Sequence, residues 1–237
     1  MAASLPTNET KRLDALKRYR ILDTPAEQAF DDFAFLASTI CETPIALMTF
    51  VDSERQWFKA GLGLDATETP REHAFCAHTI LGDSMMVVED AASDERFSHN
   101  PLVTSAPHIR FYAGAPLIDG EGHALGSLCV IDRHPRSLSA VQHKSLLALA
   151  RQAISQLELR RTSADLAEAL TDIHTLRGLL PICSHCKGIR NDTGYWEDIE
   201  SYVRTHSDVT FSHGICPECL KVHHPFVYEA LRAEGRA

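Results

Sequence analysis

Four of the chain's seven cysteines fall in one stretch, ICSHCKGIRNDTGYWEDIESYVRTHSDVTFSHGICPEC, as two Cys-x-x-Cys pairs: Cys183 with Cys186, and Cys216 with Cys219. Each pair puts two sulfurs on one tight knuckle, and two knuckles supply a tetrahedral thiolate set. Zn²⁺ takes that set at about 2.3 Å per sulfur without redox chemistry. A single pair would suit a thioredoxin-like redox motif, whereas a second pair containing Pro217 favours one structural Zn²⁺. The competing reading is four free or disulfide-bonded cysteines. His213, His185, His223 and His224 are substitute ligands; His213, in FSHGIC, is the best of them and reads more readily as a neighbour of the site. Residues 181–237 are few for an independent core, so a metal staple also meets a folding need.

The remaining 180 or so residues must position this module, and they have a different character. The chain of 237 residues is 44% hydrophobic with a formal net charge of −9, which suits one ordinary domain plus a small one. Acidic residues outnumber basic ones even after Leu180, so nucleic acid is not the favoured partner. No signal-peptide or membrane-length apolar run occurs. A cytoplasmic protein with reduced thiols is expected. ETKRLDALKRYRIL and AEQAFDDFAFLASTIC have helical spacing; PIALMTFVD, RQWFKAGLG and MMVVED read as strands, and AFCAHTILG as a short helix. RFYAGAPLID and ALGSLCVID flank a hairpin turn at Gly120-Glu121-Gly122. From Ser139 the pattern is helical for some forty residues. Leu159, Leu166, Ile173 and Leu180 recur every seven, with Leu170 between them, while Ser163 and Arg177 interrupt the seam. A surface helix and a short parallel coiled coil that makes a homodimer both fit. Tyr195, Trp196, Ile199, Tyr202 and Val203 are the expected small core of the C-terminal module.

ILDTPAEQAFDDFAFLASTICETPIALMTFVDSERQWFKAGLGL, AFCAHTI, VVEDAASDERFSHNPLV and IRFYAGAPL…GHALGSLCVIDRHPRSL resemble the GAF domains of bacterial sensor kinases and diguanylate cyclases, over roughly residues 10–160. The resemblance implies an α+β fold: an antiparallel sheet of about six strands, helices from both termini on one face, and a loop-covered ligand pocket on the other. It also implies pairing through the flanking helices. The organisation expected is a GAF-like sensory domain over 10–158, a helical or coiled-coil linker over 159–180, and a zinc-ribbon-like or treble-clef-like module over 181–237. That last segment resembles one found after sensory domains in bacterial signalling proteins.

The long polar loop AASDERFSHNPLVTSAPHI is of a kind that usually does work. The expected pocket wall is Trp57, Lys59, Cys76, His78, Asp94, Arg96, Phe97, Asn100 and Arg110, with Phe111 and Tyr112 from the next strand. Arg96 and Arg110 would hold a carboxylate or phosphate; alternatively Asp94, Arg96 and Arg110 pair internally and merely pin the loop. Cys41 and Cys129 read as small buried hydrophobes. Cys76 is the thiol of interest, because the matching region lines ligand pockets in the family. Bilin attachment in relatives uses Cys followed directly by His; Cys76-Ala77-His78 argues against it. Cysteines in helices and strands likewise argue against reduction of free methionine sulfoxide.

HTLRGLLP, from His174, resembles a histidine-kinase phospho-acceptor box, but no ATP-binding motif accompanies it. P-loop, cyclase, H-E-x-x-H and nucleophile-elbow motifs are missing as well. The expectation is therefore a regulatory protein that is not an enzyme. It would sense a small-molecule ligand, relay its state through a helical dimer linker, and contact a protein partner of a signalling pathway through the zinc module. The rival expectation is a thiol enzyme or redox switch using Cys76 or the knuckle cysteines.

Overall fold

The computed structural model describes residues 3–177, 181–191, 193–207 and 209–233, with the backbone alone for 171–177. It divides into two compact units, Met1–Glu168 and Ala169–Ala237.

In the first unit, helices α1 (Glu9–Arg18) and α2 (Gln28–Cys41) precede strands β1 (Ile45–Val51), β2 (Arg55–Leu62) and β3 (Glu68–Pro70). A 3₁₀ turn at Arg71–His73 leads into α3 (Phe75–Thr79), β4 (Met86–Val88) and α4 (Pro101–Thr104). The hairpin β5 (Phe111–Ile118) and β6 (Ala124–Asp132) then leads to α5, which runs unbroken from Ala140 to Arg177. The six strands form one antiparallel sheet in the order β3-β2-β1-β6-β5-β4, as the α+β expectation requires. β3 and α4 were not foreseen, because three or four residues are too few to show a period.

Apolar side chains leave both sheet faces. On one, Phe50, Trp57, Phe111 and Val130 pack with Leu16 of α1, Phe30 and Ala37 of α2, and Leu146, Ala150, Ala153 and Leu157 of α5. On the other, Leu47, Phe58, Tyr112, Cys129 and Ile131 pack with Phe75 and Cys76 of α3, Phe97 and Val103. Burial of both faces turns the strands into continuous apolar runs and hides their alternation. Gly126 is required by close packing: a Cβ there would run into the backbone oxygen of Thr49 on the neighbouring strand.

The second unit contains a two-residue hairpin, β7 (Ile189–Arg190) with β8 (Trp196–Glu197), and helices α6 (Ile199–His206), α7 (Pro217–His223) and α8 (Pro225–Ala233). The expected core there is not formed. Tyr195, Trp196 and Ile199 are exposed and Tyr202 and Val203 only half-buried; Ile189 is the one buried apolar residue among those described. Short helices and a two-residue hairpin offer no second layer to cover these side chains. Ile173, His174, Arg177 and Leu180 lie outside the residues whose side chains are described.

Candidate functional site

An apolar cavity of about 170 Å³ opens on the second sheet face. Its floor is Leu47 of β1, Gln56 and Phe58 of β2, Thr69 of β3, Tyr112 of β5 and Ile131 of β6. Phe75 and Cys76 of α3, Leu102 of α4 and the loop residues Ala106, Pro107 and Ile109 form the cover. Two polar atoms break this wall. Gln56 Oε1 and Thr69 Oγ1 are buried and have no hydrogen-bond partner among the described residues. They belong to residues paired across β2 and β3, both of which border the cavity. A buried polar group left unsatisfied costs about 1–3 kcal/mol, which makes such a pair informative.

Beside the cavity lies a buried thiol–hydroxyl cluster. The Tyr112 hydroxyl meets Thr79 Oγ1 at 2.7 Å, Cys76 Sγ at 3.3 Å and Ser127 Oγ at 3.4 Å. Cys76 Sγ and Cys129 Sγ are 3.8 Å apart and not bonded covalently. Burial by itself raises the Cys76 thiol, but hydrogen bonds from Cys129, Ser127, Thr49 and Tyr112 outweigh it and bring the group down to about 7. Its partner Cys129 rises well above the ordinary value, through the bond to Cys76 and through burial. Burial and the nearby Cys76 likewise push the Tyr112 hydroxyl up. Tyr112 lies down on the sheet because Gly114, two residues on, has no side chain; a Cβ there would collide with the phenol oxygen.

Of the pocket wall expected from sequence, Cys76 and Tyr112 line this cavity and the other nine do not. Trp57 and Phe111 face the helices on the opposite side, where Trp57 stacks near Phe50 with centroids 6.5 Å apart. Lys59 is the extra residue of a β-bulge, since pairing passes from Met48↔Ala60 to Thr49↔Phe58. Its ammonium is bonded to Glu27 Oε1 at 2.6 Å, Pro25 O at 2.7 Å and Thr24 Oγ1 at 2.9 Å. Arg110 makes two bonds to Asp90, at 2.7 and 2.8 Å, and Arg96 two to Asp94, at 2.9 and 2.6 Å. These arginines are thus engaged in pinning the loop. Asn100 caps α4 through Leu102 N and donates to His73 O at 3.0 Å. Phe97 is a core residue stacked on Phe75 at 4.0 Å, with His78 edge-on to it at 4.8 Å. Gln56 and Thr69 were missed. The available signal was a glutamine in the inward phase of RQWFK, obscured because the adjacent Trp57 is buried on the other face.

The knuckles are local structures. In the first, Cys183 N donates to Gly188 O at 2.8 Å and Lys187 N to Cys183 O at 3.0 Å. Backbone N–H groups of Cys186 and His185 hold the Cys183 thiol below its ordinary value. In the second, Cys216 caps α7 and its sulfur accepts from Cys219 N at 3.5 Å. The donor chemistry suits zinc, but the two pairs do not stand in one ligand shell. Among the described residues, no three knuckle ligand atoms lie within 4.8 Å of one another. His213 bonds Glu200, at 3.1 and 3.2 Å.

An antiparallel six-stranded sheet with terminal helices on one face and a covered cavity on the other defines a sensory domain of the signalling class. The chain belongs to the GAF domain family, which it matches over residues 20–160. It is 43% identical over 152 residues to a cyclic di-GMP phosphodiesterase of Pseudomonas aeruginosa; the match takes in 62% of this chain and 26% of the relative. The chain therefore spans about a quarter of that relative's length. In structure it is similar to the GAF domain of a Coxiella burnetii phosphoenolpyruvate-protein phosphotransferase, with TM-score 0.51 and 15% identity over 67% of this chain and 97% of the other. The corresponding Acinetobacter GAF domain gives TM-score 0.48 and 16% identity, over 65% and 98%. Both likenesses concern the fold alone.

The expectation that the chain is not an enzyme is corrected by the Pseudomonas relative, which is named as an enzyme. That expectation rested only on motifs not found, and a missing motif is no measure of activity. Among the described residues no helix is long and apolar enough to cross a membrane.

Proposed function

We propose that the GAF unit is the sensing part of a regulator of cyclic di-GMP turnover. In this reading its ligand is a small, neutral, largely apolar molecule that donates one hydrogen bond. The observation that carries it is the pair of orphaned atoms, Gln56 Oε1 and Thr69 Oγ1, on two residues that border a largely apolar cavity. An amide oxygen requires an N–H or O–H from its partner. A cavity of about 170 Å³ is close to the 150 Å³ that holds benzene and below the roughly 300 Å³ at which drug-sized sites begin. The ligand is thus phenol- or indole-sized, and a nucleotide does not fit. The earlier expectation of a carboxylate or phosphate held by Arg96 and Arg110 gives way, because Asp94 and Asp90 already engage those side chains.

The relative's name supports the pathway, and the shared residues limit that support to the GAF part. In the same proposal zinc would draw the two cysteine pairs, apart in this structure, into one site of an interaction module for a protein partner, and α5 would serve as a dimer-forming transmitter. The ligand is tested by melting the full-length protein with phenol, indole, benzyl alcohol, cyclic di-GMP and guanosine 3′,5′-cyclic monophosphate. The neutral aromatics should raise the melting temperature. Gln56→Met should abolish that rise while leaving the unliganded protein no less stable, since it removes an unsatisfied group. Stabilisation by the nucleotides alone would overturn the ligand class.

A further inference from the structure

We propose that Cys76 and Cys129 form a dithiol that a small hydroperoxide, entering the cavity, oxidises to an intramolecular disulfide. The two residues are 53 apart in sequence, on α3 and β6, yet their sulfurs lie 3.8 Å apart in a fully buried setting. A disulfide needs about 2.05 Å, so the sulfurs must close by about 2 Å. Of the two, only Cys76 lines the cavity. An oxidant in that space therefore meets Cys76 first, with Cys129 waiting behind it. The four knuckle cysteines are exposed or half-exposed and have no such enclosure.

The cluster around Cys76 suits this order. Tyr112, which is among the residues lining the cavity, sets its hydroxyl 3.3 Å from Cys76 Sγ. Hydrogen bonds that favour the Cys76 thiolate and disfavour that of Cys129 divide the roles in the same direction. In the first step Cys76 sulfur attacks the terminal oxygen of the hydroperoxide. The O–O bond breaks, the alcohol leaves with the proton that Cys76 gave up, and Cys76 becomes a sulfenic acid. In the second, Cys129 sulfur attacks the sulfenic sulfur; the S–S bond forms, the S–O bond breaks, and the oxygen leaves as water with the Cys129 proton. Two thiols lose two electrons, and the hydroperoxide is reduced to alcohol and water.

The reduced full-length protein is treated with tert-butyl hydroperoxide, denatured in an alkylating agent and mapped by peptide mass spectrometry. The expected product in the wild type is a peptide pair joined through Cys76 and Cys129, formed faster as pH rises through about 7. Cys129→Ser should stop at a sulfenic acid on Cys76, trapped by dimedone, while Cys76→Ser should leave Cys129 a free thiol. Melting curves establish that each variant is folded, and the wild-type map stands by itself if either is not. The proposal is overturned if Cys76 and Cys129 both alkylate as free thiols after the knuckle cysteines have oxidised. It is equally overturned if Cys129 reacts in Cys76→Ser as fast as Cys76 does in the wild type.

Discussion

The sheet domain and the C-terminal unit are built on opposite principles. In the first, apolar clusters cover both sheet faces, and Phe30, Phe50, Phe97 and Phe111 are wholly buried. In the second, Phe226 is 91% exposed, Tyr195 74% and Trp196 56%, with Ile189 the buried exception among the described residues. The difference lies in layers rather than in composition: one unit has a sheet between helices, the other short helices and a two-residue hairpin. Apolar burial holds the first. Apolar burial contributes little to the second, and the zinc proposed for its four thiols would supply a hold of another kind.

The largest effect should come from removing that hold. Chelation, or Cys183→Ser, should release one zinc per chain and make residues 181–237 sensitive to protease, while the GAF unit keeps its melting transition. Structural zinc contributes about 10 kcal/mol or more to folding in comparable peptides, so the loss should be all or none. Protein purified without chelator that contains no zinc, and resists protease over these residues, would break the comparison.

A matched pair of substitutions gives the next largest effect. Phe30→Ala empties a position that is 0% exposed between α2 and the sheet, and should cost about 3–5 kcal/mol. Phe226→Ala removes the same atoms from a 91% exposed position and should change stability by less than about 0.5 kcal/mol. Denaturant titration with separate probes for each unit measures both. A large loss for Phe226→Ala would reveal a partner or core that covers this face.

Legibility followed the same divide. The GAF resemblance and the strand runs carried the sheet, because long apolar segments and the Gly120–Gly122 turn are local signals. The cavity wall was mostly illegible. Trp57 and Lys59 were nominated with Phe58 between and Gln56 beside them unnoticed, since a strand buried on both faces shows no alternation and the bulge at Lys59 shifts the phase. The arginines of the loop looked like ligand holders because sequence does not show that Asp90 and Asp94 already engage them. Cys76 could be read as a candidate, but its nearness to Cys129 depends on packing across 53 residues.

Helix α5 takes part in both units, and its smallest perturbation tests whether they communicate through a pair of chains. Leu146, Ala150, Ala153 and Leu157 lie on the face packed against the sheet. At 100° per residue, Leu159, Leu166 and Leu170 sit about 180–220° round from Leu157, on the outward face. They are 60%, 60% and 50% exposed, and Val141, 73% exposed, shares their side. An apolar stripe turned away from its own domain at heptad-like spacing fits a second copy of the helix. Leu166→Asp should therefore convert a dimer to a monomer in sedimentation velocity, while changing the stability of the sheet domain by less than about 0.5 kcal/mol. If the wild type is already monomeric at high micromolar concentration, the stripe is only a solvated helix face and the transmitter reading falls. If instead the variant stays dimeric, the contact lies elsewhere, and α5 links the two units within one chain alone.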